Sequence, residues 1–565
     1  MGFSEKLQKH FVPILLLLST IGVVPWFALE PINAVKFSFL TIAGAVSLAA
    51  ILQNYRLLSL GKDGKTALIL VLVFFLSATI LVFLQSEIGW RQQLFGNLGR
   101  NTGLIFYLSL LLILIYVIYF SKIILEKAVV QVLQICGIAS VTYGLLQFFG
   151  MDPIGWTNPY SPLIGFQGNP NFQSSFLGLY SILLAHNLLR ANETRLKRFS
   201  SGLVLIVSVF LIVASDSIQG LFVFLTGASI LCAYQVKNSR YRRIFLPYLL
   251  TMAVSFILTV LGLLQKGPLS FLYQPSVSFR GDYWRAGWKM FEDNLFFGLG
   301  HSSFGDYYMS YRDVTSLSGI GGRGSDTFSN SAHNVFVDIA SSGGLFLLVP
   351  YCVLIAFSVL YFVESLRKKM PKNESISLFG AMWFAYLLQS IISVQFVTLA
   401  FWGWVCLGLF LKRIFESNQP EQPAAIVKSF RTGSPSISSH LKMKSIVTIP
   451  ILALGIVVGF LPLRAGMAQK TAYESQKLDA VISAAYVEAL DGERMNQIAL
   501  LLAKNNQIPE ALKILDRAKE ISPRNHDTWL LISKLNVPGS AQSKEAYEIY
   551  LKLNPYAEFK VDNSQ

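Results

Sequence analysis

Charge is scarce in this sequence. Only 14% of its 565 residues are Asp, Glu, Lys or Arg, against about 25% in ordinary soluble proteins, which excludes a chain built mainly of water-soluble domains. Cysteine is scarcer still. Cys136, Cys232, Cys352 and Cys406 stand singly within apolar segments, without the paired spacing of metal or redox sites, and they read as small buried hydrophobes. No Asp-x-Asp pair occurs, and the segment Glu30 to Lys36 offers Glu30 as its only carboxylate, so a metal-dependent site there is not expected and no metal or cofactor is called for. A small-residue cleavage site is also lacking after the apolar run Phe11 to Leu29, which Pro25 and Trp26 interrupt. That run therefore reads as a first membrane span and not as a signal peptide.

What the sequence has in quantity is apolar residues: 53% are hydrophobic and the mean hydropathy is +0.50. Runs of about 20 apolar residues, each enough to cross a bilayer core, recur from Phe11 to about Leu461. Spans are expected near 11–29, 37–52, 66–85, 103–120, 128–149, 172–189, 202–214, 218–236, 245–265, 344–363, 378–397, 401–415 and 445–461. The fold class is thus all-α, a polytopic transmembrane bundle of about 12–13 spans.

The formal net charge of +15 raises the question of nucleic acid, but the placement of the positive residues answers it differently. Lysines and arginines gather in alternate short loops, among them Lys62 and Lys65, Lys122 and Lys127, Arg195 to Arg198, Arg240 to Arg243, and Arg367 to Lys372. Positive residues in short loops favour the cytoplasm. The segments 86–102, 151–171 and 266–332 then face outward, as does everything after Leu461.

Three units follow. Residues 1–463 form the membrane domain, with 266–332 as a large extracytoplasmic loop and the Ser-, Pro- and Gln-rich stretch 416–443 as a cytoplasmic linker. Residues 464–565 form a helical tail. Its segments ALLLAKNNQIPEALKILDRAKEISPRN and EAYEIYLKLNPY end in similar Asn/Pro turns near tetratricopeptide spacing; a plain helical hairpin fits nearly as well. Either form serves protein contact.

The 266–332 loop is long enough to imply a function. Arg280, Arg285, Lys289, Arg312 and Arg323 alternate there with Tyr283, Trp284, Trp288, Phe291, Phe296 and Phe297, a composition suited to a lipid headgroup. Arginine's planar fork pairs with phosphate through two parallel hydrogen bonds, although any one arginine chosen blindly is more often a solvated or interfacial side chain. His333, one of six histidines, stands where the loop meets the next span. A neutral imidazole there can take the proton of an attacking hydroxyl; a lone interfacial histidine is also often structural. Asn169 and Asn171, in NPNFQSS, stand at another span start, where Asn can cap a helix and Pro170 suits its first turn.

FGNLGRNTGL at 95–104, YGLLQFFG at 143–150, GFQGNPNF at 165–172, FRGDYWRAGWKMFEDNLFFGLG at 279–300 and HNVFVDIASSGG at 333–344 together resemble the superfamily of O-antigen ligases, O-antigen polymerases and protein O-oligosaccharyltransferases. The resemblance covers most of the membrane domain and implies a GT-C-like bundle and a metal-independent, inverting transfer. The donor would be a glycan on undecaprenyl diphosphate and the acceptor a lipid, a growing glycan or a protein, at the outer face of a bacterial cytoplasmic membrane. The family pattern maps onto Arg280, Trp284, Gly298, Gly300, His333, Asn334 and Gly344, which implies diphosphate binding by Arg280 and base catalysis by His333, with Asn334 beside it. Asp293, Asn294 and Leu295 stand where many members have a proline turn, and Leu345 where a small or aromatic residue often follows the glycine. Ser215 to Gly220 offers Ile218 and Gln219 where ligases commonly carry an arginine. Arg100, Arg285 or Arg323 can fill that second role, and spacing does not choose among them.

Two other classes stay open on the sequence. A lipid or glycan transporter or flippase should carry ionisable residues at mid-span, and these spans are nearly free of charge. A scaffold acting through its helical tail needs far fewer spans.

Overall fold

In lipid each backbone N–H and C=O must be satisfied within the protein, which leaves helices as the natural form for runs this apolar. The computed structural model describes residues 11–54, 61–85, 87–156, 158, 161–190, 193–313, 328–367, 374–418, 437–488, 490 and 492–558. Among the described residues there are 21 α-helices and no strand. In chain order these are α1 (Val12–Ile21), α2 (Asn33–Asn54), α3 (Lys62–Leu84), α4 (Trp90–Phe95), α5 (Leu104–Phe120), α6 (Ile123–Phe148) and α7 (Pro170–Leu189). Next come α8 (Arg195–Ala214), α9 (Ile218–Asn238), α10 (Phe245–Leu263), α11 (Pro275–Asp293), α12 (Phe304–Tyr311), α13 (Val335–Arg367), α14 (Glu374–Ser390) and α15 (Val397–Asn418). The last six are α16 (Ile437–Ser475), α17 (Leu478–Tyr486), α18 (Gly492–Lys504), α19 (Ile508–Ile521), α20 (His526–Leu535) and α21 (Ala541–Leu553).

Each of the thirteen expected spans falls on a helix, and nine described helices are long and apolar enough to cross a membrane by length and composition. The chain is a multi-pass, all-α membrane protein. Its core is one continuous cluster in which α5 and α15 are almost wholly buried, with Phe106, Tyr116, Phe401 and Trp402 at 0% exposure. Apolar side chains are left on the outside where lipid would cover them, as with Ile69, Leu76 and Phe83 on α3 and Leu250, Val254 and Ile257 on α10.

Lys36 differs from its reading as the end of a loop. It lies inside α2, is fully buried, and its Nζ donates to the carbonyls of Ser19 and Thr20 at 3.1 and 2.9 Å. These carbonyls end α1, where the helix dipole is negative, so the cation is held by backbone.

The 266–332 segment holds two helices, α11 and α12; residues 314–327, with Arg323, are outside the described residues. Of the 416–443 linker, 419–436 are likewise outside. At the other domain boundary α16 runs unbroken through residues 463 and 464 and carries the last span into the tail. The tail has its own core around Ile498, Leu502, Ile514, Leu515 and Ala518. Its helix pairs α18–α19 and α20–α21 start at Gly492 and His526, 34 residues apart.

A break in α13 fixes how α11 and α13 meet. Gly344 sits at φ 55°, ψ −156°, a region essentially reserved for glycine. The backbone groups freed there bond to residues 295–300: the N–H groups of Leu299 and Gly300 donate to the carbonyls of Ser341 and Ser342 at 2.9 and 2.7 Å. In return Leu345 and Phe346 donate to Leu295 and Phe296 at 2.7 and 3.0 Å. The two backbones approach so closely that a Cβ on Gly298 would lie 2.4 Å from the Gly343 nitrogen, and one on Gly344 2.5 Å from the Phe296 carbonyl carbon. Gly344→Ala should therefore lose about 1–3 kcal/mol through backbone strain alone, with a further loss from the clash. The expected result is a sharp fall in folded, monodisperse protein on size-exclusion chromatography; wild-type yield and thermal midpoint would contradict it.

Candidate active site beside the broken helix

Because α13 is interrupted at Gly344, residues 335–343 form a short helical segment whose start is fastened by its own side chains. Asn334 Oδ1 accepts the N–H groups of Phe336 and Val337 at 3.0 and 3.3 Å, as an N-cap does. Asp338 accepts the Ala332 N–H and the Ser331 hydroxyl, both at 2.6 Å, and Ser331 Oγ accepts the His333 N–H at 3.0 Å. Within this clasp His333 takes φ 55°, which few residues other than glycine adopt. Its Nδ1 is 3.3 Å from the Ser331 carbonyl. A carbonyl can only accept, so the ring proton belongs on Nδ1 and Nε2 is the basic nitrogen.

The His333 ring packs against Tyr283, with centroids 5.1 Å apart. Tyr283 lies three residues after Arg280 on α11, and residues at that spacing share a helix face. Arg280 Nε donates to the Ile392 carbonyl at 2.9 Å, and Nη1 to the Ser276 carbonyl and hydroxyl at 2.9 and 3.1 Å. These bonds fix the plane of the guanidinium, whose Nη2 makes no hydrogen bond among the described residues. Burial lowers the pKa of Arg280 from the ordinary guanidinium value, and Tyr283 opposes that shift. A guanidinium already stripped of water has lost competing hydration, so an arriving anion is held more strongly.

On the far side of Ser331 lies a cavity of about 50 Å³ walled by Arg100, His301, Asn330, Asp338 and Gln395. Arg100 Nε donates to Asn330 Oδ1 at 3.1 Å. Burial lowers its pKa, while Asp338 and then Glu30 raise it. His301 is buried, and its Nε2 lies 2.8 Å from the Ala78 carbonyl, which makes Nε2 the protonated nitrogen. Burial holds its pKa down at about 4. Asn101, Ser302 and His333, three of the eight described non-glycine residues with positive φ, flank or line this region, and such strain concentrates at functional sites.

The remaining expected residues divide. Asn169 caps α7 by accepting the Asn171 N–H at 2.9 Å, and Asn171 Oδ1 accepts the Ser217 hydroxyl at 2.8 Å. Gln219 accepts the Gln389 amide at 3.3 Å. This polar network adjoins the 391–396 segment that Arg280 grips, where Phe396 stacks on Phe172 with centroids 4.2 Å apart. Arg285 points away, with its side chain 51% exposed and paired to Asp282. Arg323 lies outside the described residues.

Tyr283, His301, Asn330 and Asp338 were not legible as site residues. Asp338 sits four residues after the N-cap, where an acidic residue usually only complements the helix dipole. Tyr283 is one of many aromatics in its segment.

The pH dependence of His301 follows from its depressed pKa. In the unfolded chain the ring takes a proton near pH 6.5, but in the fold only near 4. Its contribution is therefore complete above pH 6.5 and lost as pH falls toward 4, by about 3 kcal/mol. The thermal midpoint of wild type should exceed that of His301→Gln at pH 7.5, with the gap closing by pH 4.5. A gap independent of pH would contradict this.

Residues 203–352 match a family model described as O-antigen ligase; the matched stretch runs from α8 into α13 and contains Arg280, Tyr283, His333, Asp338 and Gly344. No match was found among curated proteins. Residues 203–352, embedded in an all-α polytopic bundle, are thus similar to the O-antigen ligase family, which supports a place in the O-antigen ligase and polymerase superfamily.

Proposed function

We propose that this protein transfers a glycan from a polyprenyl diphosphate to an acceptor hydroxyl at the extracytoplasmic face of the cytoplasmic membrane. The observation that carries the reading is that His333 packs on Tyr283, which shares a helix face with Arg280, inside the matched family domain. Arg280 binds the diphosphate and stabilises it as it leaves with the electron pair of the anomeric C–O bond. His333 Nε2 takes the acceptor's proton while its Nδ1–H is held by Ser331. Attack opposite the leaving group inverts the anomeric centre. Arg100, fixed by Asn330, is the second cation for the diphosphate; its placement at the cavity favours it over Arg285.

The outward orientation rests on the alternation of positive loops. The 34-residue recurrence of helix pairs supports a tetratricopeptide-like tail.

The test is release of polyprenyl diphosphate from a labelled lipid-linked glycan by the purified protein, with and without chelator. His333→Ala should lower kcat by about 10²–10⁴-fold. Arg280→Lys should stay well below wild type, because an ammonium cannot offer the planar fork. Chelator should have no effect. Full turnover by both variants, or none by folded wild type on any such donor, would overturn the reading.

A further inference from the structure

The tail does not hang free of the bundle. Arg524 lies with its guanidinium 3.9 Å from the Tyr307 ring centre and 3.2 Å from Glu87 Oε2, and the same carboxylate oxygen accepts the Tyr307 hydroxyl at 2.8 Å. Arg312 Nη2 donates to Asn554 Oδ1 at 2.9 Å, and the Ser310 hydroxyl to the Leu553 carbonyl at 2.8 Å. These contacts fasten α12 and the segment before α4 to the two ends of the tail's final helix pair, α20–α21.

Beside these contacts lies a half-open cavity of about 530 Å³, within the ~300–1,000 Å³ usual for ligand clefts. Its bundle wall includes Asn97 and Asn330, which also wall the small cavity holding Arg100, His301 and Asp338. A ligand in the larger space thus has one end beside Arg100, the proposed second cation for the diphosphate, and Ser331, which holds His333.

The lining chemistry selects among ligands. Asp306, Glu493 and Asp527 supply carboxylates, against one lysine, Lys534. That balance disfavours a diphosphate or any polyanion. Amides, carboxylates and hydroxyls make up much of this wall, unlike the apolar groove that an amphipathic helical peptide needs. Planar carboxylates and amides instead suit neighbouring hydroxyls, each both donor and acceptor. Ring faces such as Tyr547 suit the C–H side of a sugar.

We propose that this cavity is the acceptor subsite and that its ligand is an uncharged, polyhydroxylated glycan whose terminal hydroxyl reaches past Asn97 and Asn330 to the anomeric carbon of the donor. The proposal rests on the transfer reading above. In the step, the acceptor oxygen forms the new bond to the anomeric carbon, the bond from that carbon to the diphosphate oxygen breaks, the diphosphate leaves with its electron pair, and the hydroxyl proton goes to His333 Nε2. The tail is then part of the enzyme's acceptor site, and the acceptor is a saccharide and not a protein side chain.

The experiment uses the full chain in detergent. The probe is the oligosaccharide released from the donor by mild acid, offered free, on a polyprenyl diphosphate or on a second glycolipid; a threonine-rich peptide is a separate arm. Asp527→Ala combined with Tyr547→Ala should raise the KM for saccharide acceptors at least tenfold while the donor KM moves less than twofold. Ala557→Trp, which narrows the cavity from its rim, should do the same if the first variant folds poorly. The preferred saccharide arm tells a growing chain from a glycolipid acceptor. Unchanged acceptor KM in both variants, or turnover with the peptide alone, would overturn the proposal. Saturation-transfer NMR with the free oligosaccharide separates the two readings. If wild type turns over no donor yet binds the oligosaccharide, and the variants lose that binding, the subsite stands and the transfer reading falls; absence of binding to wild type overturns the subsite whatever the turnover.

Discussion

Four backbone hydrogen bonds between residues 295–300 and 341–346 determine where the chemistry can sit. A continuous helix through Gly344 would carry His333 and Asp338 away from α11. The break turns the helix's first turns into a separate piece and lends its backbone groups to the FFGLG segment that follows α11. Each such group, buried and unpaired, would cost about 1–3 kcal/mol, and more in a lipid-facing setting. The exchange is therefore reciprocal: neither segment can adopt its conformation without the other. Gly298 and Gly344 are required at this crossing because no side chain fits between the two backbones.

From that crossing the rest of the site follows in short steps. Asp338 secures Ser331, Ser331 secures His333, and His333 packs on Tyr283, which shares a helix face with Arg280. Arg280 in turn grips the 391–396 segment through Ile392, tying α11 to the end of α14. The groups proposed to bind an anion and to accept a proton are thus held by backbone and short side chains, with little freedom to relax. Such preorganisation is what makes positioned charges effective in transfer reactions.

Much of this was legible in the sequence. The spans could be read because a bilayer demands long apolar helices, and each expected span falls on a helix. The phrases around Arg280 and His333 pointed to the region of the candidate site, and Asn169 declared itself as a cap through the proline after it. What could not be read was tertiary. Lys36 looked like a loop residue because its partners are carbonyls from another helix, sixteen or more residues away. Asp338 resembled an ordinary first-turn acid, and Arg285 looked as eligible as Arg100 until their surroundings separated them. The docking of the tail depends on Arg312, Arg524 and Asn554, residues hundreds of positions from their counterparts or inconspicuous beside them.

The central claim is that the His333 region is an outward-facing site for a diphosphate-linked donor. It is tested most directly by placing a single cysteine at 333 (His333→Cys) in a chain with Cys136, Cys232, Cys352 and Cys406 replaced, and labelling it with a membrane-impermeant thiol reagent. The account predicts labelling from the extracytoplasmic side, slowed by added polyprenyl diphosphate. Labelling only from the cytoplasmic side, or a rate indifferent to polyprenyl diphosphate, would contradict it.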